Sequence, residues 1–157
     1  MASTGKAAWL EAGLVWDEIA DATDEGIAAA LEEIGIVVHR MIVTKLSFAG
    51  GGATYTRGGV SHTASAPGEP PAVDTGQYRA SWAWKVLGGQ KAVEIFTDQE
   101  RGPWLEFGTS RMAPRPHVRP VMEEASTTKI APIVRRRIVD AQKQIRGKTF
   151  AMDLVMR

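Results

Sequence analysis

The stretch Ser81-Trp-Ala-Trp-Lys-Val-Leu-Gly-Gly-Gln-Lys-Ala-Val-Glu-Ile-Phe-Thr97 alternates apolar and polar side chains on both sides of Gly88-Gly89. A two-residue period is that of a strand with one buried face, and a glycine pair between two such runs marks a hairpin. The pattern puts Trp82, Trp84 and Val86 on one face. Longer segments on either side carry apolar residues three and four apart, the period of a helix. Upstream, residues 17–46 align Ile27, Leu31, Ile34, Val38, Met41 or Ile42, and Lys45 or Leu46 in one stripe, with Glu32, Glu33, His39 and Arg40 off it. Downstream, residues 121–146 align Ile130, Val134, Ile138, Ala141 and Ile145.

The joints between these elements are legible too. Gly26 and Gly35 each weaken the first helix by about 1 kcal/mol relative to alanine. Gly35 marks a bend or a close approach by another element, and starts at Asp21 or Thr23-Asp24 would make two helices of one. Residues 47–72 hold Ala49-Gly-Gly-Gly, Arg57-Gly-Gly and Ala66-Pro-Gly-Glu-Pro-Pro, which suit neither a helix nor a central strand. They read as a flexible arm, plain loop or partner-ordered, unless Thr54-Tyr-Thr56 forms one strand of a hairpin. Asp74 and Gln77 have capping-box spacing before a short helix. Residues 73–120 then hold the sheet and an extended strap, Met112 to Pro120, kept open by Pro114, Pro116 and Pro120. Pro120 suits a first helical turn, Glu123-Glu124 its positive end, and Pro132 predicts a kink near Ile130. Trp9, Leu10 and Leu14 are candidate anchors at one end; Phe150, Leu154 and Val155 are candidates in the tail, 147–157. The 157 residues suit one domain, 1–157.

Composition narrows the chemistry. The chain is 44% hydrophobic, against wholesale disorder, and has no cysteine, which excludes disulfides, a thiol nucleophile and thiolate zinc sites. No apolar run reaches membrane-spanning length, and no signal peptide is expected. The net charge of +1 hides an asymmetry: residues 1–46 sum to −5, residues 47–110 to −1, and residues 111–157 to +7. Complementary solvated faces, attraction between the two ends within or between subunits, and a grip on nucleic acid each fit that pattern.

No catalytic constellation assembles, so no enzyme activity is expected. Asp74-Thr75-Gly76 matches an aspartic-protease triplet, but prolines precede it, a helical pattern follows, and a single copy supplies one of the two carboxylates needed. His39, His62 and His117 are scattered without metal-ligand spacing, so neither metal nor cofactor is expected. Gly50-Gly51-Gly52 lacks the lysine and helix of a phosphate loop. Arg135-Arg136-Arg137 fans around a helix and suits a solvated or inter-subunit face. Trp9, Trp16, Trp82, Trp84 and Trp104 read as core or interface anchors.

Two blocks carry a resemblance: Ala72-Val-Asp-Thr-Gly-Gln-Tyr-Arg-Ala-Ser-Trp82 and Pro103-Trp-Leu-Glu-Phe-Gly-Thr-Ser-Arg-Met-Ala-Pro-Arg-Pro-His-Val-Arg-Pro120. Over residues 17–146 the chain resembles the neck, or head–tail joining, proteins of long-tailed bacteriophages, also labelled tail-completion or minor-tail morphogenesis proteins. Tyr78 stands where the family pattern has leucine, Trp104 where tyrosine is common, and His117 where phenylalanine is usual.

The resemblance implies an α+β fold: a small, mainly antiparallel sheet with a long N-terminal helix and a C-terminal helix packed on one face, and a long Gly/Pro loop. It implies a structural virion protein, made in the bacterial host cytoplasm, that forms a hexameric ring in the neck. The ring would enclose genomic DNA without reading its sequence. It would meet a head completion or stopper protein and a tail terminator or tail tube protein; a tail terminator ring is the alternative. The ring interface is expected at Trp104, Glu106, Phe107, Gly108, Thr109, Arg111, Met112, Pro114, Arg115, Pro116 and Arg119. The strap is expected to project from the domain, after a buried aromatic segment ending at Gly108.

Overall fold

The computed structural model describes the backbone of residues 4–48 and 50–155 and the side chains of residues 20–48 and 50–145. Trp9, Leu10, Leu14, Trp16, Phe150, Leu154 and Val155 have side chains outside the described residues. The element order is α1 (Thr4–Lys45), β1 (Thr54–Arg57), β2 (Val60–Thr63), α2 (Gln77–Ala80), β3 (Trp82–Leu87), β4 (Ala92–Thr97), α3 (Arg101–Phe107), α4 (Val118–Ala125) and α5 (Ala131–Val155). The class is α+β, with two separate two-stranded antiparallel ribbons, β1–β2 and β3–β4, in place of one small sheet.

Helix α1 is a single element that begins well before residue 17 and spans both candidate internal starts. Ala22, Gly26, Ala30, Ile34, Val38 and Ile42, with Leu46 just past its end, form a buried seam with one position every four residues, and Gly35 beside it is buried too. Each step of four overshoots a full turn by about 40°, so the buried seam winds around the helix. Its N-terminal half meets α5, and its C-terminal half meets β3, β4 and α4. Ile27 and Leu31, expected on the seam, lie one position aside and are half-buried. Small side chains form the close contact because they let backbones approach.

The two glycines mark where that approach is tightest. A Cβ on Gly26 would stand 2.9 Å from the Ile138 Cα of α5. A Cβ on Gly35 would stand 2.2 Å from Cε3 of Trp84, so close packing by β3, not a helix bend, accounts for this glycine. The His39 ring bonds the Trp82 carbonyl at 3.0 Å, fixing β3 one turn further on. The core cluster joins Ile34, Val38, Ile42 and Leu46 to Trp82, Val121, Ala125 and Ile133.

The β3–β4 register pairs Trp82 with Thr97 and Lys85 with Glu94. The segment read as an arm carries the β1–β2 hairpin, with Tyr55 opposite His62. Gly58 and Gly59 turn it with φ of 58° and 80°, the two positive angles that a tight two-residue hairpin loop demands.

Downstream, the helix begins at Val118, three residues before the expected start, and continues as α5 through residues assigned to a tail. Residues Ser126–Ile130 form a π turn between α4 and α5. It ends two residues before Pro132, which has no N–H to give. The hydroxyls of Ser126, Thr127 and Thr128 donate to the carbonyls of Glu123 and Glu124 and help satisfy the widened turn.

The opposite charges of the two ends meet inside one subunit. Glu33 of α1 accepts from Arg137 Nε at 2.7 Å and also pairs with Arg136. These two arginines hold the Glu33 carboxyl below its usual range.

Gly35→Ala weighs two effects against each other. Alanine favours the helix by about 1 kcal/mol, whereas overpacking a filled contact costs about 1–3 kcal/mol. With overlap this deep, a net loss of about 1–2 kcal/mol is expected, read as a lower urea midpoint by circular dichroism. A midpoint equal to wild type would show that Trp84 steps aside freely.

Candidate functional site

The strap does not project; it is bound down on its own subunit. Helix α3 ends at Gly108, whose φ of 77° lets the chain reverse, and a Cβ there would stand 2.7 Å from the Met112 carbonyl. Thr109 and Met112 exchange backbone bonds of 2.8 and 3.3 Å, a tight turn with Arg111 at its tip. The Arg115 N–H then donates to the Leu105 carbonyl at 2.7 Å, and the Gly68 N–H donates to the Pro114 carbonyl at 3.0 Å. The Arg115 guanidinium reaches the Ser65 carbonyl and hydroxyl. Glu69 closes the loop by accepting from the N–H groups of Gly51 and Ala66 at 2.9 and 2.8 Å. The proline loop and the strap therefore brace each other.

The anchor beneath the strap is Glu106. It is 6% exposed and not available to a neighbouring subunit. One carboxylate oxygen accepts from the N–H groups of His117 and Val118 at 2.8 and 2.9 Å, and the other accepts from Arg119 at 2.9 Å. These are the orphan donors at the start of α4, so α3 caps the next helix from a distance. Burial alone would raise the Glu106 pKa; the three N–H bonds and the neighbouring His117 together hold it below the usual carboxylate range.

His117 is fully buried and the hub of a polar chain. Its Nδ1 lies 3.0 Å from the Arg115 carbonyl and 3.1 Å from Glu106 Oε2. Both are acceptors, so Nδ1 carries a proton. Burial pushes the ring pKa down against the pull of Arg115 and Glu106, leaving a neutral imidazole whose Nε2 accepts. The donor is the Tyr78 hydroxyl at 2.6 Å. Burial, then the Glu106 charge, pushes that phenol up to about 12. Tyr78, Trp82 and His117 also stack edge to face, with centroids 5.6 to 5.9 Å apart.

Two expectations are corrected nearby. Asp74 does not cap α2: Gly76 holds the N-cap position with φ of 79°, Thr75 Oγ1 approaches the Gln77 N–H at 3.4 Å, and Asp74 lies 3.7 Å from Arg57 on the hairpin. The aromatic segment ending at Gly108 is not buried, for Trp104 is 54% and Phe107 68% exposed. They stand three residues apart on one face of α3, and the Arg119 guanidinium lies 5.9 Å from the Phe107 ring. Thr109, Arg111 and Pro114 are exposed as well, while Gly108, Met112, Arg115 and Pro116 are half-covered. Pro67, Gly68, Pro114, Pro116, Phe107 and Arg119 line a groove of about 340 Å³. Sequence reading missed the partnership of Tyr78 with His117. Its signal was two departures from one family pattern, which meet across the core.

Two measurements test this network. Tyr78→Leu alone strands a buried imidazole nitrogen and His117→Phe alone strands a hydroxyl, each at about 1–3 kcal/mol. The double variant is expected to cost less than the two singles added, with a coupling of about 1–2 kcal/mol in urea unfolding; strict additivity would dissolve the pair. The folded-state pKa values of His117 and Glu106 both lie below their ordinary values of 6.5 and 4.5. The unfolded chain therefore binds more protons in acid, and stability falls as pH drops, first below 6.5 through His117 and then below 4.5 through Glu106. The slope just below pH 6.5 is expected to flatten in His117→Phe; an unchanged slope would assign it elsewhere.

Among the described residues no helix is long and apolar enough to cross a membrane, and no cluster of His, Cys, Asp or Glu has the makings of a metal site. Comparison with known proteins found no match among curated proteins or solved structures. A family model described as "Bacteriophage HK97-gp10, putative tail-component" matches residues 16–108, from α1 to the glycine that ends α3. That match spans more than half of the chain, and the chain belongs to the HK97-gp10-like family of bacteriophage tail components.

Proposed function

We propose that this chain is a structural subunit of the phage neck, closing with copies of itself into a ring that joins the DNA-filled head to the tail. Family membership supports a structural tail-related role in the virion. The observation that carries the finer reading is the exposed pair Trp104 and Phe107 beside Arg119, on a surface whose backbone is already fixed by Glu106, Ser65 and Leu105. Large aromatics and arginine on an exposed face mark protein contacts. A braced strap loses little conformational entropy on docking.

On this reading Trp104, Phe107, Arg111, Pro114 and Arg119 touch a neighbouring copy or an adjoining ring. Thr109, Met112 and Pro116 shape the edge of the contact; Gly108 and Arg115 hold the strap in place, and Glu106 fixes the surface from below. The resemblance supplies the expected copy number of six. The ring would surround genomic DNA without base-specific contacts and dock on a head completion or stopper protein at one face. Its other face would meet the tail terminator or tube, in the virion neck. Its work is mechanical, with no catalytic step and no cofactor.

The test is phage assembly with Trp104→Ala plus Phe107→Ala, and separately Arg119→Glu, each checked for a wild-type circular dichroism spectrum. Joined particles counted by electron microscopy are expected to fall roughly tenfold or more, as hot-spot truncation would dictate, with finished heads and tails left apart. Overlong tails would instead mark a terminator. Joined particles at normal yield would exclude this surface.

A further inference from the structure

Two exposed helix faces remain unaccounted for by the strap. On α1, Asp21, Glu25, Ala28, Glu32 and Ile36 are exposed and fall within one narrow stripe of the helix. Asp24 beside them is held by Lys91 at 2.7 Å, but Asp21, Glu25 and Glu32 carry none of the ion pairs found among the described residues. Ile36, 45% exposed, gives the stripe an apolar end. On α5, Pro132, Arg135, Arg136, Val139, Asp140 and Lys143 line an open groove of about 600 Å³ beside the π turn. Arg136 is engaged with Glu33, and Asp140 lies 3.9 Å from Lys143. Arg135, four residues before the exposed Val139 and eight before Lys143, pairs with no acid among the described residues.

The stripe is acidic with an aliphatic end, and the groove is basic with an aliphatic centre. Each is the complement of the other, and both are helical, so one can lie along the other. They are different surfaces of one subunit, so each copy can give its stripe to the groove of the next in a head-to-tail contact, which closes a ring where the rotation between copies comes full circle. We infer that the Asp21–Glu25–Glu32–Ile36 stripe of one copy seats in the Arg135–Val139–Lys143 groove of the next. This surface rests on the ring reading above and adds to it a second band of contact, remote in sequence from the strap.

The chain has no cysteine, so an introduced pair reports alone. Full-length Glu25→Cys protein is mixed with Val139→Cys protein and oxidised. The heterodimer is expected at about five times or more the yield of a control mixture of Lys85→Cys with Val139→Cys, because only a held contact keeps the two thiols within disulfide range. In parallel, Arg135→Glu with Lys143→Glu is expected to raise the ring's dissociation constant about tenfold, and adding Glu25→Lys with Glu32→Lys to the same chain should restore it. A ring by mass photometry with control-level cross-linking, or a charge swap without rescue, overturns this surface and leaves the ring reading standing. Wild-type protein that forms no ring at any concentration, together with control-level cross-linking of the Glu25→Cys and Val139→Cys pair, overturns both.

Discussion

A single carboxylate organises the face of this molecule built from α3, the strap and the start of α4. Glu106 leaves water and takes three backbone N–H groups in exchange, each bond between 2.8 and 2.9 Å. A buried charge is tolerable only when paired and fully hydrogen-bonded. The α4 N-terminus supplies donors that would otherwise be unsatisfied. Because the acid sits on α3 and the donors on α4, this one bargain fixes the angle between the two helices. The strap that connects them must then take the shape that spans the gap. Trp104 and Phe107, on the outer side of α3, inherit their positions from it.

The neighbouring pair at 78 and 117 shows how the same core tolerates different chemistry. A neutral imidazole donates toward Arg115 and Glu106 and accepts from the Tyr78 phenol, so every polar atom of the ring has a partner. Where the family pattern has leucine and phenylalanine, the same volume is filled by shape alone. A polar pair in such a place is sound only as a pair, and here both members are present. The cost of the arrangement is sensitivity to acid.

Much of the fold was legible in the sequence. The β3–β4 hairpin follows from two short runs rich in aromatic and β-branched residues on either side of Gly88-Gly89, and its strands fall on those runs. The helical segments followed from period, and so did the later half of the α1 seam at Ile34, Val38, Ile42 and Leu46; the earlier half did not. Periodicity weighs isoleucine and leucine heavily, whereas the closest approaches are made at Gly26 and Gly35, with the small Ala30 between them, residues suited by what they lack. Of the expected interface set, Trp104, Phe107, Thr109, Arg111, Pro114 and Arg119 lie on the surface and Glu106 does not. A glutamate followed by an aromatic and a glycine looks like an exposed motif; only the fold reveals that three N–H groups converge on it. The strap's path was hidden for the same reason, since its bonds to Leu105, Ser65 and Gly68 join residues distant in sequence and have no local signature.

The π turn at Ser126–Ile130 has a consequence for how this helix tolerates change in length. An ordinary α-helix advances about 100° per residue, so one extra residue would swing everything after it by that angle. Val121 and Ala125 would then look toward the core while Ile133 and Ile138 looked away. Absorbing the surplus residue in one wide turn keeps the two halves in phase, so Ile133 returns to the core and Arg137 returns to Glu33. The turn acts as a correction to the reading frame of the helix, set just ahead of the proline that an unbroken α-helix would accommodate poorly.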